Sequence, residues 1–90
     1  METRLGRKLH KLLTTKFSGA EVRIEEPSKR NVGEKFIGFV SWSGFESMDH
    51  LDRQHVIWAI LQSHLTEKER LNVAIIFGET PAESSSLQSA

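Results

Sequence analysis

The apolar residues of the first sixteen positions fall at Leu5, Leu9, Leu12 and Leu13. That is the i, i+4, i+7, i+8 spacing of one stripe on a helix. Thr3 is placed to cap its start and Gly19 to end it. From Ala20 to Glu26 the pattern switches to alternation. Val22 and Ile24 point one way, and Glu21, Arg23 and Glu25 the other, as in a strand covered on one face. Pro27 ends that strand, and a polar stretch to Lys35 leads to a second strand, Phe36 to Trp42, apolar on both faces. The connection is long for a hairpin, and long loops often carry function. Gly38 inside the second strand marks a bulge or close packing by a helix.

Ser43 and Gly44 break the strand, and a long helix is expected from about Ser47 to Leu65. Ser47 is the expected cap, with Asp49 and Asp52 at the positive end of the dipole. Met48, Leu51, His55, Trp58, Gln62 and Leu65 form its expected buried stripe, widened by Ile57, Ile60 and Leu61. Thr66-Glu67-Lys68-Glu69 has the capping-box pattern of one extra turn. Leu71 to Phe77 reads as a third strand. Its unbroken run Val73 to Phe77 suggests a strand that is central or covered on both faces, ended by Gly78. Thr80-Pro81-Ala82-Glu83 has a cap, a proline at the first helical position and a glutamate three after the cap. The segment 84–90 reads as a flexible tail.

The order is α-β-β-α-β with a short terminal helical turn. The first two strands are expected antiparallel. The crossover through the long helix sets the third parallel to the second. The expected fold class is therefore α/β (α+β): a small mixed three-stranded sheet with helices on one face, in a single domain over 1–83.

Composition narrows the function. Ninety residues with 38% apolar and 27% charged content suit one small globular domain, too small for a large internal active-site cavity. Twelve basic and twelve acidic residues cancel, which disfavours a general electrostatic grip on nucleic acid or membrane. The charge is uneven, however: Arg4, Arg7, Lys8, Lys11 and Lys16 stand against Glu2 in the first sixteen positions. No segment approaches the about 20 apolar residues of a membrane span, and no secretory signal is apparent, so a cytoplasmic protein is expected. The absence of cysteine removes disulfides, thiolate metal sites and cysteine nucleophiles.

Candidate chemistry is sparse. His50 and His55 lie about 140° apart round a helix, and His55 and His64 about 180° apart. No pair has the i, i+4 spacing of a helical zinc site, so no metal site is expected. Phosphate loops, nucleophile elbows and dinucleotide fingerprints are missing. No catalytic residues and no cofactor are expected. Trp58 reads as core, and His55 as a partly buried histidine with a local hydrogen bond. Trp42 with Phe45 would form a binding patch if both were exposed.

From Phe36 onward the chain reads Phe39-Val40-Ser41, Phe45-Glu46-Ser47, Arg53-Gln54-His55-Val56-Ile57-Trp58-Ala59-Ile60-Leu61, Asn72-Val73-Ala74 and Thr80-Pro81-Ala82-Glu83. In order and spacing these segments resemble the BolA family, and the likeness extends loosely over about residues 5–83. The resemblance implies a KH-like α-β-β-α-β fold and a non-catalytic adaptor or regulator. It also implies a protein partner, a monothiol glutaredoxin, with which the family can share a [2Fe–2S] cluster. The departures matter. Gln54 stands where the family's helix has His, with His55 one place later. Asn72 replaces the His that opens the last strand. The 27–35 loop has neither the Cys nor the His often found there. An asparagine amide is a poor ligand for cluster iron, so the expected adaptor lacks the ligand pair. Its expected partner-binding residues flank the missing site: Arg30, Asn31, Arg53, Gln54, His55 and Asn72. The alternative is a nucleic-acid-binding transcriptional regulator using Lys8 and Lys11 of the first helix with Lys29 and Arg30 of the Ser28-Lys29-Arg30 loop. A monomer or weak dimer is expected in either case.

Overall fold

The computed structural model of the chain describes residues 4–26 and 35–88, with side chains as far as Ser84. The leucine stripe forms α1 (Arg4–Lys16), with Leu9 and Leu13 fully buried. The helix closes at Gly19, whose φ of +81° lies in the left-handed region that glycine enters without steric cost. β1 (Glu21–Glu25) alternates between exposed and half-buried residues. It pairs antiparallel with β2 (Phe36–Ser41), Arg23 opposite Phe39 and Ile24 opposite Gly38.

The chain then departs from expectation. A 3-10 turn, Ser43–Ser47, buries Phe45, and α2 (His50–His64) starts three residues later than Ser47 suggested. Its cap is Asp49, whose side chain accepts the amide of Asp52 at 2.8 Å. The buried stripe is also rotated. Arg53, Ile57 and Leu61 are buried at fourfold spacing, whereas Leu51 is 65% exposed and His55 and Gln62 face outward. Met48 and Trp58 are only half-buried, packed against the core. The expected stripe counted His and Gln among its inward positions. The actual inward stripe opens on an arginine whose Nε and Nη1 find acceptors within the molecule.

The Thr66 capping box opens α3 (Glu67–Arg70) as expected. Lys8 ties α1 to it, its Nζ 2.9 and 3.0 Å from the two carboxylate oxygens of Glu69. β3 (Val73–Glu79) begins after Leu71, which is 64% exposed in the preceding turn. Gly78 lies inside β3 rather than ending it. A side chain there would press within 3.1–3.3 Å of the Phe45 ring, Ile57 and Arg53, so glycine lets the strand continue beneath them. The sheet order is β1-β2-β3, with β2 and β3 parallel. The expected crossover is therefore present. β3 is an edge strand, not a central one, and its Ala74 and Phe77 are exposed. The irregularity in the β2–β3 ladder sits at Phe36/Ile37. Gly38 instead marks close packing by the neighbouring strands, not by a helix: a Cβ would come within 2.6 Å of Ile76 Cδ1 and 3.1 Å of Ile24 Cδ1.

The core lies between one sheet face and the helices α1 and α2. Phe36, Val40, Val73 and Ile76 of the sheet meet Leu9, Leu13, Ile57 and Leu61. Phe17 and Phe45 close one end. The terminal helix α4 (Pro81–Gln88) runs for eight residues, past Ser84 where a tail was expected to start. Among the described residues, no helix is long and apolar enough to cross a membrane.

Candidate functional site

Because β2 and β3 are parallel, α2 runs back along β3, and the start of the helix lies near the end of the strand. The outer edge of β3 is closed there by side chains of α2. Gln54 Nε2 donates to the Ile76 carbonyl at 2.8 Å, and Arg53 Nη1 to the Gly78 carbonyl at 3.2 Å. Two outward-facing carbonyls of an edge strand, two residues apart, thus gain donors. Their capping blunts the edge as a template for further pairing.

Arg53 does more than close the edge. Its Nε donates to the carbonyls of Phe45 and Met48 at 3.2 and 3.0 Å, and Nη1 reaches Glu83 Oε1 at 2.7 Å. The side chain is 5% exposed. One guanidinium thereby holds the 3-10 turn, α2, β3 and α4 together. Arg53 was expected to meet a partner; its Nε and Nη1 donate inside the molecule. Gln54 likewise has its amide turned to β3. His55 is exposed rather than partly buried, so of these three neighbours it alone faces solvent freely.

Asn72 occupies the other end. It is exposed, its Nδ2 donates to Lys68 O at 3.0 Å, and its carbonyl accepts the Phe36 amide at 2.9 Å. Phe36 opens β2, so Asn72 stands where the 27–34 segment rejoins the sheet. Gly78 lies six positions further along the strand, about 20 Å at extended spacing. The expected site therefore divides. Asn72 belongs to the loop end of the sheet, while Arg53, Gln54 and His55 belong to the opposite end. Arg30 and Asn31, with Lys29, lie outside the described residues.

The nucleic-acid set is also altered. Lys8 is paired with Glu69, and the Glu69 carboxyl is held below its ordinary value by the Thr66 backbone amide and then by Lys8. Lys11 is exposed and borders a shallow hollow with Leu12, Thr15, Lys16 and His64. The Trp42–Phe45 surface patch does not form. Phe45 is fully buried, its ring centroid 5.2 Å from Phe17 and 5.1 Å from Trp42. The Trp42 indole donates to Ser18 O at 3.1 Å.

The donor set does not fit an iron–sulfur cluster. The chain has no cysteine, and the Asn72 amide nitrogen is already donating to Lys68 O. Among the described residues, no three His, Cys, Asp or Glu side chains converge as a metal cage would require.

Sequence reasoning missed Glu83 as a structural partner, although its capping-box position was legible. Thr80 N donates to Glu83 Oε1 at 2.8 Å, and Glu83 N to Thr80 Oγ1 at 3.2 Å. The Thr80 amide first, and the Arg53 guanidinium second, hold the Glu83 carboxyl down to about 2 from 4.5. A carboxyl depressed in the folded state stabilises fully above its unfolded value and loses that contribution as pH falls through the folded one. The urea midpoint is thus expected to decline between pH 4.5 and 2. Glu83→Gln should flatten that decline, and an unchanged acid limb in the variant would contradict the assignment.

No family model matches the sequence, and no curated protein matches it. Solved structures do match. The BolA domain of SufE1 from Arabidopsis thaliana is 22% identical, with a TM-score of 0.71 over 92% of this chain and 99% of that one. BolA1 from Arabidopsis thaliana is 21% identical, with a TM-score of 0.68 over 92% of this chain and 98% of its own. A Bol-like protein from Babesia bovis is 18% identical, with a TM-score of 0.66 over 98% and 95%. The chain has the BolA-like fold, a small α+β domain built on a three-stranded mixed sheet.

Proposed function

We propose that the protein is a non-catalytic BolA-like adaptor that binds a protein partner, a monothiol glutaredoxin, without supplying cluster ligands. The observation that carries the reading is the position of Asn72. It stays at the surface where the 27–34 segment returns to the sheet, and this is the position at which the resembling family carries its last-strand histidine. The side chain there offers an amide in place of an imidazole. A partner can be met through shape and hydrogen bonding at this end of the sheet, while the iron of a cluster keeps ligands from elsewhere. Arg53 and Gln54 serve the framework in this reading, so the contact surface centres on Asn72 and its neighbours.

The test is a mixing experiment with apo and cluster-loaded monothiol glutaredoxin. A complex should form on gel filtration, and the visible spectrum of the loaded partner should stay unchanged on addition of this protein. Failure to form a complex with either form removes the reading. A new cluster spectrum shows that ligands are supplied after all and removes the ligand-free part.

A further inference from the structure

The open face of the sheet carries a row of side chains that is closed at one end and unfinished at the other. Register sets Arg23, Phe39 and Phe77 side by side on β1, β2 and β3. The Arg23 guanidinium lies 4.4 Å from the centroid of the Phe39 ring, and its Nη2 is 3.9 Å from Glu25 Oε1. The two phenylalanine rings stack at 5.2 Å with 20° between their planes. One end of the row thus ends on a cation, held by a ring face and by a carboxylate two residues along its strand.

The other end has a ring and a carboxylate but no cation. Phe77 is 41% exposed. Glu79 follows two residues later on the same face of β3, and among the described residues its carboxylate makes no hydrogen bond or ion pair. Beyond them lies a hollow of 680 Å³, also bordered by His50, Ala82 and Glu83. Glu83 stays ionised through the neutral range and is already matched to Arg53. The unmatched charge of the hollow is therefore the Glu79 carboxylate, beside an aromatic ring.

We infer that this hollow receives an arginine side chain from a partner polypeptide, its guanidinium lying on Phe77 and paired with Glu79. A planar guanidinium stacks on a ring while its edge donates to a carboxylate. A lysine ammonium does this less well, because it is a compact and strongly hydrated point charge. Arg23 against Phe39 and Glu25 is the same recognition made within the chain. The inference extends the adaptor reading by naming a chemistry for a partner at the end of the sheet away from Asn72.

The probe is an acetylated, amidated pentapeptide Gly-Leu-Arg-Leu-Gly, with its citrulline and lysine counterparts, titrated into isotopically labelled protein. The arginine peptide should shift the amides of Phe77, Gly78 and Glu79 with about millimolar affinity, and the citrulline peptide should bind about tenfold more weakly. Glu79→Gln and Phe77→Leu should each reduce the arginine peptide's affinity by a similar factor, while the spectrum of each variant remains that of the folded protein. Equal binding of the arginine and citrulline peptides, shifts confined to other surfaces, or unaltered binding by both variants would overturn the inference. Peptide binding without a glutaredoxin complex overturns the adaptor reading alone. The reverse result overturns this inference alone.

Discussion

Arg53→Ala is expected to cost about 3–5 kcal/mol, chiefly from carbonyls that lose a charged donor at about 1–3 kcal/mol each. A domain of this size holds about 5–10 kcal/mol in all, so the variant should lose a large share of its stability. Most of the loss comes from the carbonyls of Met48 and Gly78, which lose the donor Arg53 gives them, whereas the Phe45 carbonyl keeps the Met48 amide. The ion pair itself contributes less, because the Glu83 side chain is 43% exposed and screened by water. Arg53→Met fills the space but leaves the same acceptors orphaned, and should recover little. Arg53→Lys restores the charge without the fork that reaches four acceptors at once, and should fall between the alanine variant and the wild type. Urea unfolding with a constant slope measures all three. A loss below about 1 kcal/mol for the alanine variant would mean that water replaces the guanidinium easily, and the account of Arg53 would fail.

Phe45→Ala is expected to cost a comparable amount, about 3–5 kcal/mol. The ring is fully buried between Phe17 and Trp42, and the Arg53 guanidinium carbon lies 5.8 Å from its centroid. Removing it opens a cavity under the 3-10 turn and loosens the contact that holds Trp42. The folded variant should therefore also show red-shifted tryptophan emission, since Trp42 gains water. Phe45→Leu should lose roughly 1–2 kcal/mol, having kept most of the volume. A stability loss without any change in emission would place the damage away from the Phe17–Trp42–Phe45 cluster.

The two residues differ in how legible they were. Phe45 stood in a turn between strand and helix, and nothing in the pattern distinguished an exposed aromatic from one folded inward. Its burial depends on the glycine at position 78 passing beneath it, a contact between residues 33 positions apart. Arg53 was legible as part of a resemblance, yet its inward direction was not. Helical periodicity scores arginine as polar and turns it outward, and only the convergence of four acceptors from three other segments reverses that. The leucine stripe of α1, the alternation of β1 and the capping boxes at Thr66 and Thr80 needed no such convergence, because each is satisfied by neighbours within a few positions. The parallel pairing of β2 with β3 followed from the length of the crossover alone.

The candidate site was the least legible part for the same reason. Proximity along the sequence joined Arg53, Gln54 and His55, and family resemblance joined them to Asn72. The strand between Asn72 and Gly78 is what parts them. The Arg23–Phe39–Phe77 row was invisible for a related cause: its three members come from three strands and meet only through register. Alternation in β1 placed Arg23 on the polar face, but gave no hint that a phenylalanine pair lay beside it.

The central claim is that a partner docks at the loop end of the sheet, around Asn72. Amide hydrogen exchange of the protein alone and with monothiol glutaredoxin tests it most directly. Added protection at Lys35, Phe36 and Asn72, with none at Lys8 or Lys11, is the predicted result. Protection confined to α1, or to the far end around Gly78, would contradict it.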